Sequence, residues 1–251
     1  RKIGEVDSFN LGITTPAVEP AGLPMRVVCV LGMHRSGTSC LTGSLQEAGL
    51  YLGSCHTWNP YNLKGNRENQ DFVDLHDAIL AANGGAWDHP PKRVQWKLEH
   101  KQRALELLSQ NEGNQVMGFK DPRTLLVLDG WKELVPAMQF VGTFRHPDAV
   151  ADSLKRRSKM SRAEALNLWY AYNKRLYHEY KYDAFPIVCF DLPESVFQTR
   201  LGGVIEQLGL HDPGSGQQFY DSELKNYDTN PGNRLPWKVG RLYRRLCDIC
   251  V

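Results

Sequence analysis

Apolar residues come in short dense runs along this chain, and the runs are separated by stretches of helical period. Residues 27–31 (Val-Val-Cys-Val-Leu), 116–120, 138–144 and 186–190 are apolar blocks of strand length, each predicted to be a buried strand. Between them the period changes to three and four. Residues 69–82 place Phe72, Leu75, Ile79 and Leu80 on one helical face, and 38–49, 100–109, 163–180, 194–208 and 239–248 also read as helices. Gly49, Gly84-Gly85 and Gly209 stop helices, Asp121-Pro122 breaks the second strand, and Pro147 opens the helix after the third. Residues 51–66 and the Trp/Pro-rich stretch after Gly85 read as loops. Strands alternating with helices predict an α/β fold with a parallel sheet and right-handed crossovers. Such sheets bind ligands beyond the carboxyl ends of their strands.

A chain of 251 residues can bury one substantial core. Residues 1–24 read as a polar, proline-containing lead and 25–251 as a single domain. Thirty basic residues against twenty-eight acidic ones leave a formal charge of +2. That gives no global case for nucleic acid or an anionic membrane, so any anion site must be local. No apolar run approaches the ~18 residues of a membrane span, and no secretory signal is evident, so a cytoplasmic location is expected. Six scattered cysteines, with only Cys247 and Cys250 in C-x-x-C spacing, read as free thiols rather than a zinc site. No metal is expected.

The chemistry concentrates behind the first strand, in Gly32-Met33-His34-Arg35-Ser36-Gly37-Thr38-Ser39. Strand, glycine-bounded turn and helix N-terminus together make an anion cradle of converging N–H groups, helix dipole and hydroxyls. The spacing of Gly32 and Gly37 matches the nucleotide-binding P-loop, G-x-x-x-x-G-K-[ST]. Thr38 occupies the lysine position, and the cation comes earlier, as Arg35. The expected architecture is therefore a P-loop-like three-layer domain, a central parallel sheet flanked by helices. A second anion site is expected at the end of the third strand. Arg145 is followed by Pro147 and, on the helix that proline opens, Ser153. A guanidinium fork and a hydroxyl there could share one phosphate.

The ordered pair, Arg35-Ser36-Gly37-Thr38-Ser39 and then Arg145-His146-Pro147 through Ser153, resembles the PAPS-dependent sulfotransferases. Gly118-Phe119-Lys120-Asp121-Pro122-Arg123, Ser153 to Arg157, and Leu168-Trp169 look most like bacterial-type members. The likeness runs over roughly residues 25 to 210. It implies that Arg35, Ser36, Gly37, Thr38 and Ser39 hold the 5′-phosphosulfate and that Arg145 and Ser153 hold the 3′-phosphate. The implied reaction moves a sulfuryl group from PAPS to a hydroxyl, less readily an amine, of a small-molecule, lipid or carbohydrate acceptor, and releases PAP. Arg35 and Lys120 would then be catalytic, Arg35 at the bridging or 5′-phosphate oxygens and Lys120 near the sulfonate. Cytosolic small-molecule members carry a histidine two residues after that lysine. Here the position is Pro122. Glu68, which opens the helix facing the acceptor, is the preferred general base, with His56, Asp121 and Glu47 as alternatives. Arg123 either assists or pairs with Asp121. Trp58, Tyr61, Trp87, His89, Pro90, Pro91 and Trp96 form either an acceptor pocket or a cap on the core. Lys155, Arg156 and Arg157 read as a solvated face from which one cation could reach the 3′-phosphate, and Phe190 as core, or else stacked near the adenine.

Two rival readings stand beside this one. A P-loop kinase or NTPase would use an apolar run ending in Asp to hold magnesium, as in Leu126-Val127-Leu128-Asp129 or Cys189-Phe190-Asp191. A non-catalytic relative would keep the cradle and transfer nothing. The oligomeric state is left open.

Overall fold

The computed structural model describes residues 26–57, 65–111, 113–211 and 234–251. The polar lead and the loop aromatics Trp58 and Tyr61 lie outside them. In chain order the elements are β1 (Arg26–Leu31), α1 (Thr38–Glu47), α2 (Gln70–Ala82), α3 (Leu98–Ser109), β2 (Val116–Lys120), α4 (Thr124–Leu134) and β3 (Gln139–Phe144). They continue with α5 (Pro147–Ser158), α6 (Arg162–Tyr182), β4 (Ile187–Cys189), α7 (Glu194–Gln207) and α8 (Trp237–Ile249). The four strands form one parallel sheet in the order β2-β1-β3-β4.

The strands are apolar on both faces because both faces are covered. Val27, Cys29 and Leu31 of β1 point into a core shared with α2, α3, α4, α5, α6 and α8. Val28 and Val30 point the other way, onto Leu41 and Leu45 of α1 and Phe197, Leu201 and Val204 of α7. This is the expected three-layer α/β arrangement. The first strand pairs with β2 on one side and β3 on the other, Val30 opposite both Lys120 and Val141. The chain therefore leaves β1 at a switch point, with the ends of β2 and β3 flanking it.

Helix α4 is not evident from the apolar pattern. Leu126–Asp129 is neither a strand nor a magnesium-binding acid. It belongs to this helix, which buries Leu125, Val127, Leu128 and Trp131, and Asp129 instead pairs with Arg175 of α6 at 2.5 Å. Apolar residues so dense obscure a 3.6 period, and a strand and a buried helix then look alike. Pro147 at the first position of α5 and the Ser161/Glu164 capping box of α6 set those two helix starts. Among the described residues no helix is long and apolar enough to cross a membrane.

Candidate active site

The loop between β1 and α1 is built to present backbone N–H groups. Arg35 (φ 66°) and Gly37 (φ 82°) are both left-handed, and no side chain caps the start of α1. The first-turn N–H groups are thus left for a ligand, in the concave form that suits an anion. The turn is pinned from behind. Ser36 N–H donates to the Met33 carbonyl at 3.2 Å, and the Thr143 hydroxyl donates to the Ser36 carbonyl at 3.1 Å. The Ser36 hydroxyl is buried and has no hydrogen-bond partner. Gly37 is required twice over, by its φ and because a Cβ there would lie 2.2 Å from the Phe190 ring. Strain and overpacking together predict that Gly37→Ala loses about 2 kcal/mol or more of stability, measured by urea unfolding.

The second motif comes to the first directly. The Arg35 Nε donates to the Ser153 hydroxyl at 2.7 Å, across 118 residues of sequence. Arg145, at the end of β3, donates from Nε to Asp191 Oδ1 at 3.0 Å, and its guanidinium lies 5.3 Å from the centre of the Phe190 ring. Asp191 also accepts from the His146 N–H at 2.5 Å, so this strand-end acid orients the arginine. Phe190 therefore touches both halves of the site. Burial, and then the charges of Arg157, Arg145 and Arg156, lower the Arg35 pKa. Four guanidinium groups so placed repel one another, and an anion bound among them relieves that repulsion. Arg156 and Arg157, read from sequence as a solvated face, follow Ser153 by three and four residues, one helical turn, which brings them toward Arg35.

At the end of β2 the Lys120 ammonium is almost wholly buried and lies 2.7 Å from Glu68 Oε1. Glu68 also accepts from the Asn66 amide at 3.0 Å, and the Ser39 hydroxyl donates to the Asn66 carbonyl at 3.2 Å. These contacts tie the strand-end lysine, the carboxylate and the loop after β1 into one cluster. Asp121 points into the core. Its carboxylate meets His76 Nδ1 at 2.7 Å and Arg123 Nη1 at 2.9 Å, and His76 Nε2 accepts from the Trp131 indole at 2.8 Å. Burial alone would raise the Asp121 pKa, but the hydrogen bond from His76 and the charge of Arg123 hold it well below the usual carboxylate range. A carboxylate held in this way is a poor proton acceptor. Arg123 pairs with both Asp121 and Asp77, and the Glu68 charge also acts on it.

The remaining sequence-predicted residues scatter. Glu47 closes α1, roughly 14 Å of helix beyond the loop, and so falls out as a base. His56 is exposed and hydrogen-bonds Gln70 at 3.0 Å. His89 is exposed beside Asp88, and Trp96 packs edge-on against Trp131 over Gly130, capping the core. Of the described aromatics expected in the acceptor pocket, Trp87 is the one that reaches the loop, 4.8 Å from the His34 ring. His34 had no role in the sequence pattern, and Asp191, there a candidate magnesium ligand of the kinase reading, instead binds Arg145 and the His146 N–H. Position gave a signal for both, one beside the loop arginine and the other just after a strand. No group of three or more His, Cys, Asp or Glu side chains among the described residues could hold a metal ion.

A family model described as "Sulfotransferase family" matches residues 28–193, about two thirds of the chain. No curated protein matches it in sequence. Among solved structures, the sulfotransferase domain from the Synechococcus PCC 7002 olefin synthase superposes with a TM-score of 0.54 at 16% identity, covering 90% of this chain and 96% of that one. Sulfotransferase STF1 from Mycobacterium tuberculosis H37Rv gives a TM-score of 0.48 at 16% identity, covering 90% and 77%.

Proposed function

The chain belongs to the sulfotransferase family, and on that premise we propose that it transfers a sulfuryl group from PAPS to the hydroxyl of a small-molecule, lipid or sugar acceptor. The observation that carries the proposal is the 2.7 Å contact between Arg35 and Ser153. It joins two anion-binding motifs far apart in sequence, and a nucleotide with phosphates at both its 3′ and 5′ positions needs two such cradles side by side. An ATP-dependent enzyme needs only the first. Thr38 in the lysine position and the helical Asp129 also disfavour a P-loop kinase.

In this reading the N–H groups of residues 37–39 and the Ser36 and Thr38 hydroxyls hold the 5′-phosphosulfate, while Arg145 and Ser153 hold the 3′-phosphate. The acceptor oxygen attacks sulfur in line as the bond from sulfur to the bridging oxygen breaks. Arg35 balances the negative charge gathering on that oxygen as PAP leaves, and Lys120 stabilises the transferring sulfonate. Glu68 takes the acceptor's proton. Its place beside Lys120 sets base and cation together at one strand end. Only the part of these interactions that strengthens at the transition state accelerates the step.

Calorimetric titration with PAP and, separately, with MgATP tests the nucleotide. PAP is expected to bind and MgATP to bind far more weakly. Tight MgATP binding without PAP affinity overturns the proposal.

A further inference from the structure

His34 immediately precedes Arg35 and has no part in the assignment above. The residue is about nine-tenths buried, with 9% of its surface exposed. Its ring lies 4.8 Å from Trp87 and 5.9 Å from Tyr172. The Tyr172 hydroxyl donates to the Trp87 carbonyl at 2.7 Å, which fixes these two walls against each other. Nε2 of His34 is nonetheless buried with no hydrogen-bond partner. An unsatisfied nitrogen in a packed wall is destabilising, and such a defect in a native site calls for a ligand.

Electrostatics restrict what that ligand is. Burial first, and then the charge of Arg123, push the His34 pKa down to about 3, with Lys120 and Arg157 adding to the effect and Asp121 opposing it. The imidazole is therefore neutral at working pH. It lies within the field of Lys120, Asp121 and Arg123, the residues that close β2. The arginine cluster of Arg35, Arg145, Arg156 and Arg157 already suits the anionic nucleotide. A neutral imidazole between two aromatic rings suits a neutral polar group instead.

We propose that His34 Nε2 hydrogen-bonds the acceptor molecule, at an oxygen next to its reacting hydroxyl, on the side where the half-buried Trp87 ring meets His34. The acceptor chemistry this selects is a vicinal diol with a face that lies on an aromatic ring, as a sugar has. The inference rests on the sulfuryl-transfer reading and extends it to the acceptor.

The test compares wild type with His34→Met, which fills the space without a polar atom, and His34→Gln, which restores a polar group near Nε2. Three measurements are made: PAP titration calorimetry, thermal unfolding, and radiolabelled transfer from PAPS to trans-1,2-cyclohexanediol and to cyclohexanol. His34→Met is expected to keep PAP affinity and to melt at the same temperature as wild type or higher, since it removes a buried unsatisfied nitrogen. It should lose the wild-type preference for the diol, set at roughly tenfold or more by one hydrogen bond, chiefly through KM. His34→Gln should recover part of that preference. A melting temperature lowered by His34→Met assigns His34 to the fold and overturns the proposal whether or not either alcohol is labelled, as does an unchanged diol preference. Lost PAP affinity in the variant assigns His34 to the nucleotide and overturns it too. Failure of the wild type to bind PAP overturns the transfer reading itself.

Discussion

Arg35→Ala is expected to abolish most sulfuryl transfer while leaving the fold intact. Each charge-assisted hydrogen bond to a nucleotide is worth about 1.5–3 kcal/mol, so PAP affinity should fall roughly tenfold to a hundredfold in calorimetry. Turnover should fall further, by about 10²–10³ beyond the binding loss, because Arg35 is assigned to the bridging oxygen, where charge grows only as the bond breaks. Stability should not fall in parallel. Arg35 is crowded by Arg145, Arg156 and Arg157, and removing one of four repelling charges offsets the lost bond to Ser153. Arg35→Lys should recover part of the charge without the fork geometry that reaches Ser153 and an anion together. Unchanged PAP affinity in Arg35→Ala would remove this residue from the site.

Glu68→Gln is expected to lower kcat by about 10²–10⁴ with PAP affinity preserved, in single-turnover transfer and calorimetry. The ion pair to Lys120 complicates the result, because removing one partner of a buried pair is destabilising by about 3–5 kcal/mol. Glutamine keeps an oxygen for the Lys120 ammonium, and Glu68 is only partly buried, so the loss should stay below that range. A double-mutant cycle with Lys120→Met separates the roles. If Glu68 acted only as the counter-ion of Lys120, Glu68→Gln would have little further effect once Lys120 is methionine. A proton acceptor continues to matter in that background. Wild-type kcat in Glu68→Gln would remove Glu68 as the base.

Much of the architecture could be read from the order of the residues. The apolar block at 27–31, the glycines at 32 and 37 and the proline at 147 each act through local physics: burial on both sheet faces, left-handed backbone and a fixed φ. These forces are expressed within a few residues, and so β1, the loop and α5 were legible. Helix α4 was not, because its apolar residues are too dense to show a period. The site was legible only as two separate halves. Arg35 and Ser153 were each evident, but their contact depends on where β1 and β3 lie in the sheet.

The sequence by itself therefore determined the glycine-bounded loop after β1, the second arginine motif and the alternation that makes a parallel sheet. The tertiary structure decided which side chains share the site. It brought Arg156, Arg157 and Asp191 to the arginine cluster, paired Glu68 with Lys120, turned Asp121 into the core and enclosed His34 between Trp87 and Tyr172. Backbone conformation follows from neighbours along the chain. Pairing among charged and polar side chains follows from which groups burial brings together, and a linear pattern does not carry that information.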